Sequence, residues 1–425
     1  MAARQAVWIT VGLAVLVQSA LFLAFPPVFT IDSAQYVAQA ESLASTGSAR
    51  NEWGEPDTVR TPGYPLFLAA FLRTPFGLAG AVVAQRLLWI VVVGVTTWLC
   101  ARLTRSTLAA VVAGLITAID LPALQATNSV LTETAAAVVA GAAVWQAYRA
   151  GRSNAGRFAV VAGILAGVSA LIRPIAIVFG VPLGLAIMMA GDGRHRVRAG
   201  ATLLAVSLLV PSAWIARNYM QTGVATLSSI SAINLLRYRA AGTLAIRDPG
   251  GLDANLERRQ AELEAEACRA VERQFGRGCL TVPIAERATL FDDVALPIIL
   301  ADVPATAMQA GRALVMIMFG GGANMLSGLT GMSESAARVL ALAYTVPLAA
   351  LALAGIGYWW RADRLAAALL MLTVLYFVTM SLGAEAYSRF RVPFLPLYAM
   401  LAGGGAVALA RRMGFREAGE SGPAP

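Results

Sequence analysis

The chain has 425 residues, of which 58% are hydrophobic and 13% charged, with a mean hydropathy of +0.67 and a net charge of +9. A soluble domain carries about 25% charged residues, so composition excludes a single soluble core and points to a polytopic membrane protein. The charge is no nucleic-acid footprint: the basic residues fall in short clusters between apolar runs, as membrane topology requires. All 33 Lys+Arg residues are arginine. Genome composition would account for that, as would the bidentate fit of guanidinium to phosphate.

The first apolar run, residues 6–25, follows Arg4. Phe25-Pro26-Pro27 stands where a signal peptide would carry small residues for cleavage, so the run reads as an uncleaved transmembrane helix. Further stretches approaching the roughly 20 apolar residues of a span give 6–27, 79–101, 107–121, 130–148, 158–172, 175–190, 199–216, 336–358, 365–382 and 393–410. The expectation is an all-α membrane protein of about ten transmembrane helices. The segments on either side of Arg173-Pro174 are short and read as two spans or one bent unit. The chain forms one transmembrane domain, 1–425, with a first outer loop at 28–78 and a large one at 217–334.

Arginine clusters set the orientation. Arg4, Arg102 and Arg105, Arg149, Arg152 and Arg157, Arg194, Arg196 and Arg198, Arg361 and Arg364, and Arg411, Arg412 and Arg416 all fall on one side. The positive-inside rule makes that side cytoplasmic, with both termini there. Residues 28–78, 120–129, 217–334 and 383–391 then face outward.

The stretch at 30–65 is too polar for a bilayer. Asp32 opens it and Arg60 nearly closes it. Asp32-Ser33-Ala34-Gln35 fits a capping box, with Tyr36, Ala40 and Leu43 on one face of a short helix that Gly47 ends. A capping carboxylate and a catalytic base are compatible roles, since a helix start favours the ionised form. In the large loop, residues 253–275 place Leu256, Leu263, Ala267, Val271 and Phe275 at helical spacing, an amphipathic helix stopped by Gly276 and Gly278. Residues 305–319 carry Gln309 and Arg312 and read as lying along the interface. Cys268 and Cys279 share this loop and can pair if it lies outside the cytoplasm; Cys100 lies in an apolar run.

Glu133 sits near the outer end of the fourth span. An intramembrane carboxylate needs a partner or a polar cavity and is by default a functional candidate; helix capping is the plainer reading, and Asp120 is its competitor. Arg60, Arg86, Arg173, Arg217, Arg389 and Arg391 gather at the outer boundary. Singly each can snorkel to headgroups; together they suit an anionic ligand such as a lipid phosphate or pyrophosphate. His195 is the only histidine and falls in a cytoplasmic loop, which excludes histidine catalysis and most zinc sites. No phosphate loop and no dinucleotide fingerprint is present. Asp292-Asp293 is a hard-cation pair or simply solvated.

Six stretches then stand out together: DSAQYVAQAESLASTG with RTPGYPLFLAAF, NSVLTET, GILAGVSALIRPIAIVF, WIARNYMQTGVATLSSISAINLL and SRFRVPFLPLY. In this order the chain resembles bacterial GT-C glycosyltransferases, including the protein O-mannosyltransferase-like and lipid A aminoarabinose transferase-like enzymes. The resemblance implies transfer of a sugar from a polyprenyl-phosphate donor, on the outer face of the cytoplasmic membrane, to a glycan, lipid or protein acceptor. It implies Asp32 as base and Glu133 as the second acid. Arg60, Arg86, Arg217, Arg389 and Arg391 would hold the donor phosphate, and Tyr36, Tyr64, Asn218, Asn234 and Tyr387 would line the pocket. Larger members carry a big outer C-terminal domain, which a short tail after Arg412 replaces here, so acceptor recognition would fall to 217–334. No cofactor is expected, and a divalent cation near the two acids stays open. A lipid-linked sugar transporter and a polysaccharide polymerase or ligase are the alternatives.

Overall fold

The computed structural model describes residues 2–153, 155–190 and 193–415. The described residues form helices and no named strand, with two isolated bridges, Val28 with Ser129 and Arg50 with Pro56. Each of the ten apolar segments read from the sequence is helical. Their lengths differ from expectation.

Five helices are long and apolar enough to cross a bilayer: Ala3–Ala24, Gly77–Thr104, Arg194–Thr222, Glu334–Ala362 and Ser388–Arg412. Two bent pairs raise the number to seven, Thr107–Ile119 with Leu121–Thr127 (54°) and Ile284–Ala301 with Val303–Phe319 (98°). Gly156–Ile172, Pro174–Met189 and Arg364–Met380 are shorter apolar helices. By length and composition five helices, or seven with the bent pairs, qualify as spans, and the expected count of about ten is not confirmed. Arg173-Pro174 shows why some segments are short. Proline removes an amide donor and restrains the residue before it, so the chain breaks into Gly156–Ile172 and a short turn before Gly180–Met189. Arg416 of the last basic cluster lies outside the described residues.

The C-terminal helix is the hub, the most enclosed of the long helices. Its glycines explain why. A Cβ at Gly405 would collide with the carbonyl of Leu351, and one at Gly355 with that of Leu401. Helices Glu334–Ala362 and Leu395–Arg412 thus cross backbone to backbone, as small residues allow inside a membrane.

Residues 232–299 contribute a separate helical core of Leu236, Leu263, Ala267, Phe291 and Ala295. The amphipathic helix runs Gly251–Phe275, burying Leu263, Ala267 and Val271 and ending at Gly276 with φ +64°, a conformation glycine adopts without strain. Cys268 and Cys279 form a disulfide. Arg312 pairs with Asp253 at 2.5 Å. Asp292 and Asp293 lie within helix Ile284–Ala301 rather than in a loop.

Candidate active site

The site begins with the short extended link after the first helix. Val28 donates to the Asn128 carbonyl (2.9 Å) and accepts from the Val130 amide (3.4 Å), so residues 25–30 lie beside the strand-like turn that leads into helix Glu133–Arg152. Thr30 then caps helix Ile31–Thr46, in a reciprocal box with Ser33, whose hydroxyl also donates to the Val130 carbonyl (3.0 Å). The capping residue is therefore Thr30 and not Asp32, a correction of the sequence reading. The threonine hydroxyl satisfies the free amide, which leaves the Asp32 carboxylate in the first turn for other partners.

Those partners are two guanidinium groups. Arg60 donates to Asp32 Oδ1 at 2.7 Å and Arg389 to Oδ2 at 3.1 Å. Arg60 is aimed by its surroundings: Nε donates to Gln35 Oε1 (2.7 Å), Nη1 to the Tyr36 hydroxyl (3.3 Å), and the group lies over the Tyr36 ring. Asp57 accepts from the amides of Val59 and Arg60 (2.7 and 3.2 Å), an Asx-type turn that fixes where Arg60 departs. Burial pushes the Asp32 carboxyl up, but Arg60 and Arg389 outweigh it and hold the group below the usual carboxylate range. Asp32 keeps 34% of its side-chain surface open, so it is both ionised and reachable.

Glu133 adjoins this cluster and is 2% exposed. Arg173 pairs with its Oε1 at 2.9 Å and also donates to Thr132 Oγ1 (3.1 Å); Arg389 Nε stands 3.8 Å from the same oxygen. Arg389 thus bridges the two acids. Gly63 of RTPGYP explains the close approach on this side, because a Cβ there would strike the Leu171 carbonyl just before Arg173.

The other sequence candidates separate into groups. Tyr36 and Tyr64 are buried edge to face (5.2 Å between centroids), and Tyr64 donates to Gln85 Oε1 (2.6 Å). They form the packed floor under Arg60. Arg217 donates to the carbonyls of Asp57 (2.8 Å) and Ala49 (2.6 Å), and Asn218 to that of Thr226 (2.8 Å). With Ser228 and Ser229 bonded to Val59 and Thr58, this segment ties down residues 49–59. Arg86 donates to Gln18 O and Asn128 Oδ1. Arg391 is fully buried and paired with Asp120 at 2.7 Å, also buried. As they stand, Arg86, Arg217 and Arg391 are engaged by partners other than Asp32. Tyr387 is 58% exposed, with Arg389 over its ring. Asn234 is half-buried at the start of a π-helical turn, Leu235–Ala240.

Arg173, read only as one of the boundary arginines, pairs with Glu133, and Gln35, Tyr238 and Glu385 were not singled out as site members. Arg173 was visible as an arginine inside an apolar run, a costly placement. Gln35 was visible only as part of the capping pattern. Tyr238, in the π-helical turn, is pushed up by burial, with the Arg237 charge opposing. Glu385 is likewise pushed up by burial, with Arg239 opposing. Turns of this π type recur at functional sites, but no sequence pattern announces them. Among the described residues no three acidic, cysteine or histidine side chains converge as a metal-binding group.

No protein-family model matches the chain, and no curated protein matches it. Solved structures do. The archaeal oligosaccharyltransferase AglB from Archaeoglobus fulgidus, in complex with an inhibitory peptide and a dolichol-phosphate, overlays with a TM-score of 0.51 at 15% identity, over 98% of this chain and 52% of that one. The Archaeoglobus fulgidus oligosaccharyltransferase tethered to an acceptor peptide gives 0.52 at 14% identity, over 94% and 49%. ArnT from Cupriavidus metallidurans overlays at 0.41 and 14% identity, over 96% and 78%, too low a score for argument. The chain shares its fold with the part of these membrane oligosaccharyltransferases that it overlays. It spans about half the length of the oligosaccharyltransferases it overlays.

Proposed function

We propose that the protein is a glycosyltransferase that moves a sugar from a polyprenyl-phosphate donor to an acceptor on the outer face of the cytoplasmic membrane, with Asp32 as base. The observation that carries this reading is Asp32 held between Arg60 and Arg389 with Glu133 and Arg173 adjoining. A reachable carboxylate among clustered guanidiniums suits a reaction that deprotonates one group and releases a phosphate. The dolichol-phosphate bound by the overlaid AglB supports a lipid-phosphate donor. The disulfide supports placing the 217–334 segment outside the cytoplasm.

In this mechanism the donor phosphate competes with Asp32 for Arg60 and Arg389. Its arrival frees the carboxylate beside the anomeric carbon. Asp32 takes the proton of an acceptor hydroxyl as that oxygen bonds to the anomeric carbon. The bond from that carbon to the phosphate oxygen breaks, and polyprenyl phosphate leaves with its charge stabilised by the arginines. One displacement inverts the anomeric centre. Glu133 holds Arg173 and Arg389 in place.

The test is transfer from a panel of radiolabelled polyprenyl-phosphate sugars by purified wild-type and Asp32→Asn protein. Transfer by the wild type, reduced in the variant by roughly 10² to 10⁴, the usual weight of a general base, is expected. Undiminished transfer by folded variant removes Asp32 as base; no transfer by wild type from any donor favours a transporter. Chelation decides the cation: lost activity restored by Mg²⁺ or Mn²⁺ would place one beside the two acids.

A further inference from the structure

A cavity of about 380 Å³ lies far from Asp32, lined by Arg102, Trp145, Tyr148, Arg149, Arg152 and Phe158 among others. Its position follows from one helix. Glu133 begins Glu133–Arg152, and the cavity is built around the other end of those 20 residues. At 1.5 Å per residue that helix is about 30 Å long, the thickness of a hydrocarbon core. The cavity therefore lies about one hydrocarbon thickness along this helix from Glu133.

Its charge is unbalanced. Arg152 pairs with Asp363 at 2.5 Å, and Asp363 also accepts from the Tyr148 hydroxyl and two backbone amides. Arg102, Arg149 and the adjacent Arg157 have no carboxylate in ion-pair range among the described residues. They are held by aromatic faces instead: Arg102 over Trp98 at 5.4 Å, Arg149 over Phe158 at 3.8 Å and Arg157 over the same ring at 5.0 Å. Stacking orients a guanidinium while leaving its in-plane donors free for an oxyanion. Below the arginines, Leu103, Trp145 and Tyr148 are shared with a narrow apolar crevice that runs inward along Gly141 and Val144 to Leu370.

A cationic mouth over an apolar crevice is complementary to one kind of molecule. We propose that this cavity binds the phosphodiester headgroup of an anionic phospholipid from the leaflet opposite Asp32, with Arg102 and Arg149 on the phosphate and the glycerol end against Leu103 and Trp145. Basic pockets between membrane helices take anionic headgroups by this chemistry. Nothing in the proposal depends on the reaction at Asp32.

The test uses full-length protein in nanodiscs of phosphatidylglycerol and phosphatidylcholine, with retained lipid counted by native mass spectrometry. The wild type should retain phosphatidylglycerol in preference to phosphatidylcholine. In Arg102→Gln/Arg149→Gln protein the affinity should fall by about thirtyfold, for two surface arginines. Equal retention by the double variant, or equal retention of both lipids by the wild type, overturns the site. Inorganic phosphate that stabilises the wild type as well as phosphatidylglycerol does, and displaces it, points to a free-phosphate site and overturns the lipid. Should the double variant not fold, a diazirine-tagged phosphatidylglycerol on wild-type protein decides. Labelling at Leu103 or Trp145 is expected, and labelling confined elsewhere overturns the proposal.

Discussion

Two carboxylate–arginine pairs meet on one short segment and behave as opposites. Arg389 and Arg391 both belong to the 3₁₀ helix Ser388–Phe394. With three residues per turn, positions two apart point roughly 120° from each other. Arg389 turns toward Asp32, which is one-third exposed. Arg391 turns inward to Asp120, both fully enclosed, and also donates to the carbonyls of Ile317 and Met318 (3.2 and 3.0 Å). Asp120 further accepts from the Ala123 amide and the Tyr344 hydroxyl. The second pair joins the bend at Asp120, the end of helix Val303–Phe319 and the start of the hub helix. The chemistry is the same in both; access to a ligand separates them.

The largest effects should fall on different measurements. Asp32→Asn should lower kcat by roughly 10² to 10⁴ while the protein still purifies folded. Arg391→Ala should do the reverse. Removing one partner of an enclosed pair strands the other charge and costs about 3–5 kcal/mol, read as a lower Tm and poor recovery from membranes. If Arg391→Ala keeps the wild-type Tm while Asp32→Asn loses it, the division between the two pairs is wrong.

Arg389→Gln should have a smaller effect, on the donor. One charge-assisted hydrogen bond contributes about 1.5–3 kcal/mol, so the donor KM should rise about ten- to a hundredfold. Arg389→Lys should recover part of that. An unchanged KM in both variants would mean that the donor phosphate binds elsewhere.

This comparison also marks how far the sequence could be read. The ten helical segments, the amphipathic helix at 253–275 and the Cys268–Cys279 pair carry local signals: apolar runs, helical spacing, a shared loop. Asp32, Arg60, Glu133 and Arg389 were visible because charge beside a bilayer is costly. Which arginine meets which acid was not visible. Arg389 and Arg391 are alike in SRFRVP until the helix type is known. The present partners of Arg217 are the carbonyls of Ala49 and Asp57, and a carbonyl leaves no trace in residue identity. Where each helix stops was not visible either: hydropathy marks the apolar runs on both sides of Arg173-Pro174 but does not report the break between them.

The smallest effect is the most discriminating for the mechanism, and its sign follows from the two influences on Asp32. In the free protein burial pushes the carboxyl up and the two arginines pull it further down, leaving it below the ordinary range, near 3.9 for an unperturbed aspartate. The profile of kcat/KM reports the free enzyme, so Asp32 should impose no acid limb on it above about pH 4. Once a donor phosphate occupies Arg60 and Arg389, their pull is shared and burial remains. The carboxyl then rises and becomes a stronger base in the complex. As pH falls, kcat should therefore decline before kcat/KM does. Arg389→Gln removes one downward influence from the free protein, so its kcat/KM limb should move up toward the kcat limb. Coincident limbs in the wild type would mean that the arginines stay on Asp32 throughout the reaction, and the donor would then have to be held by other groups.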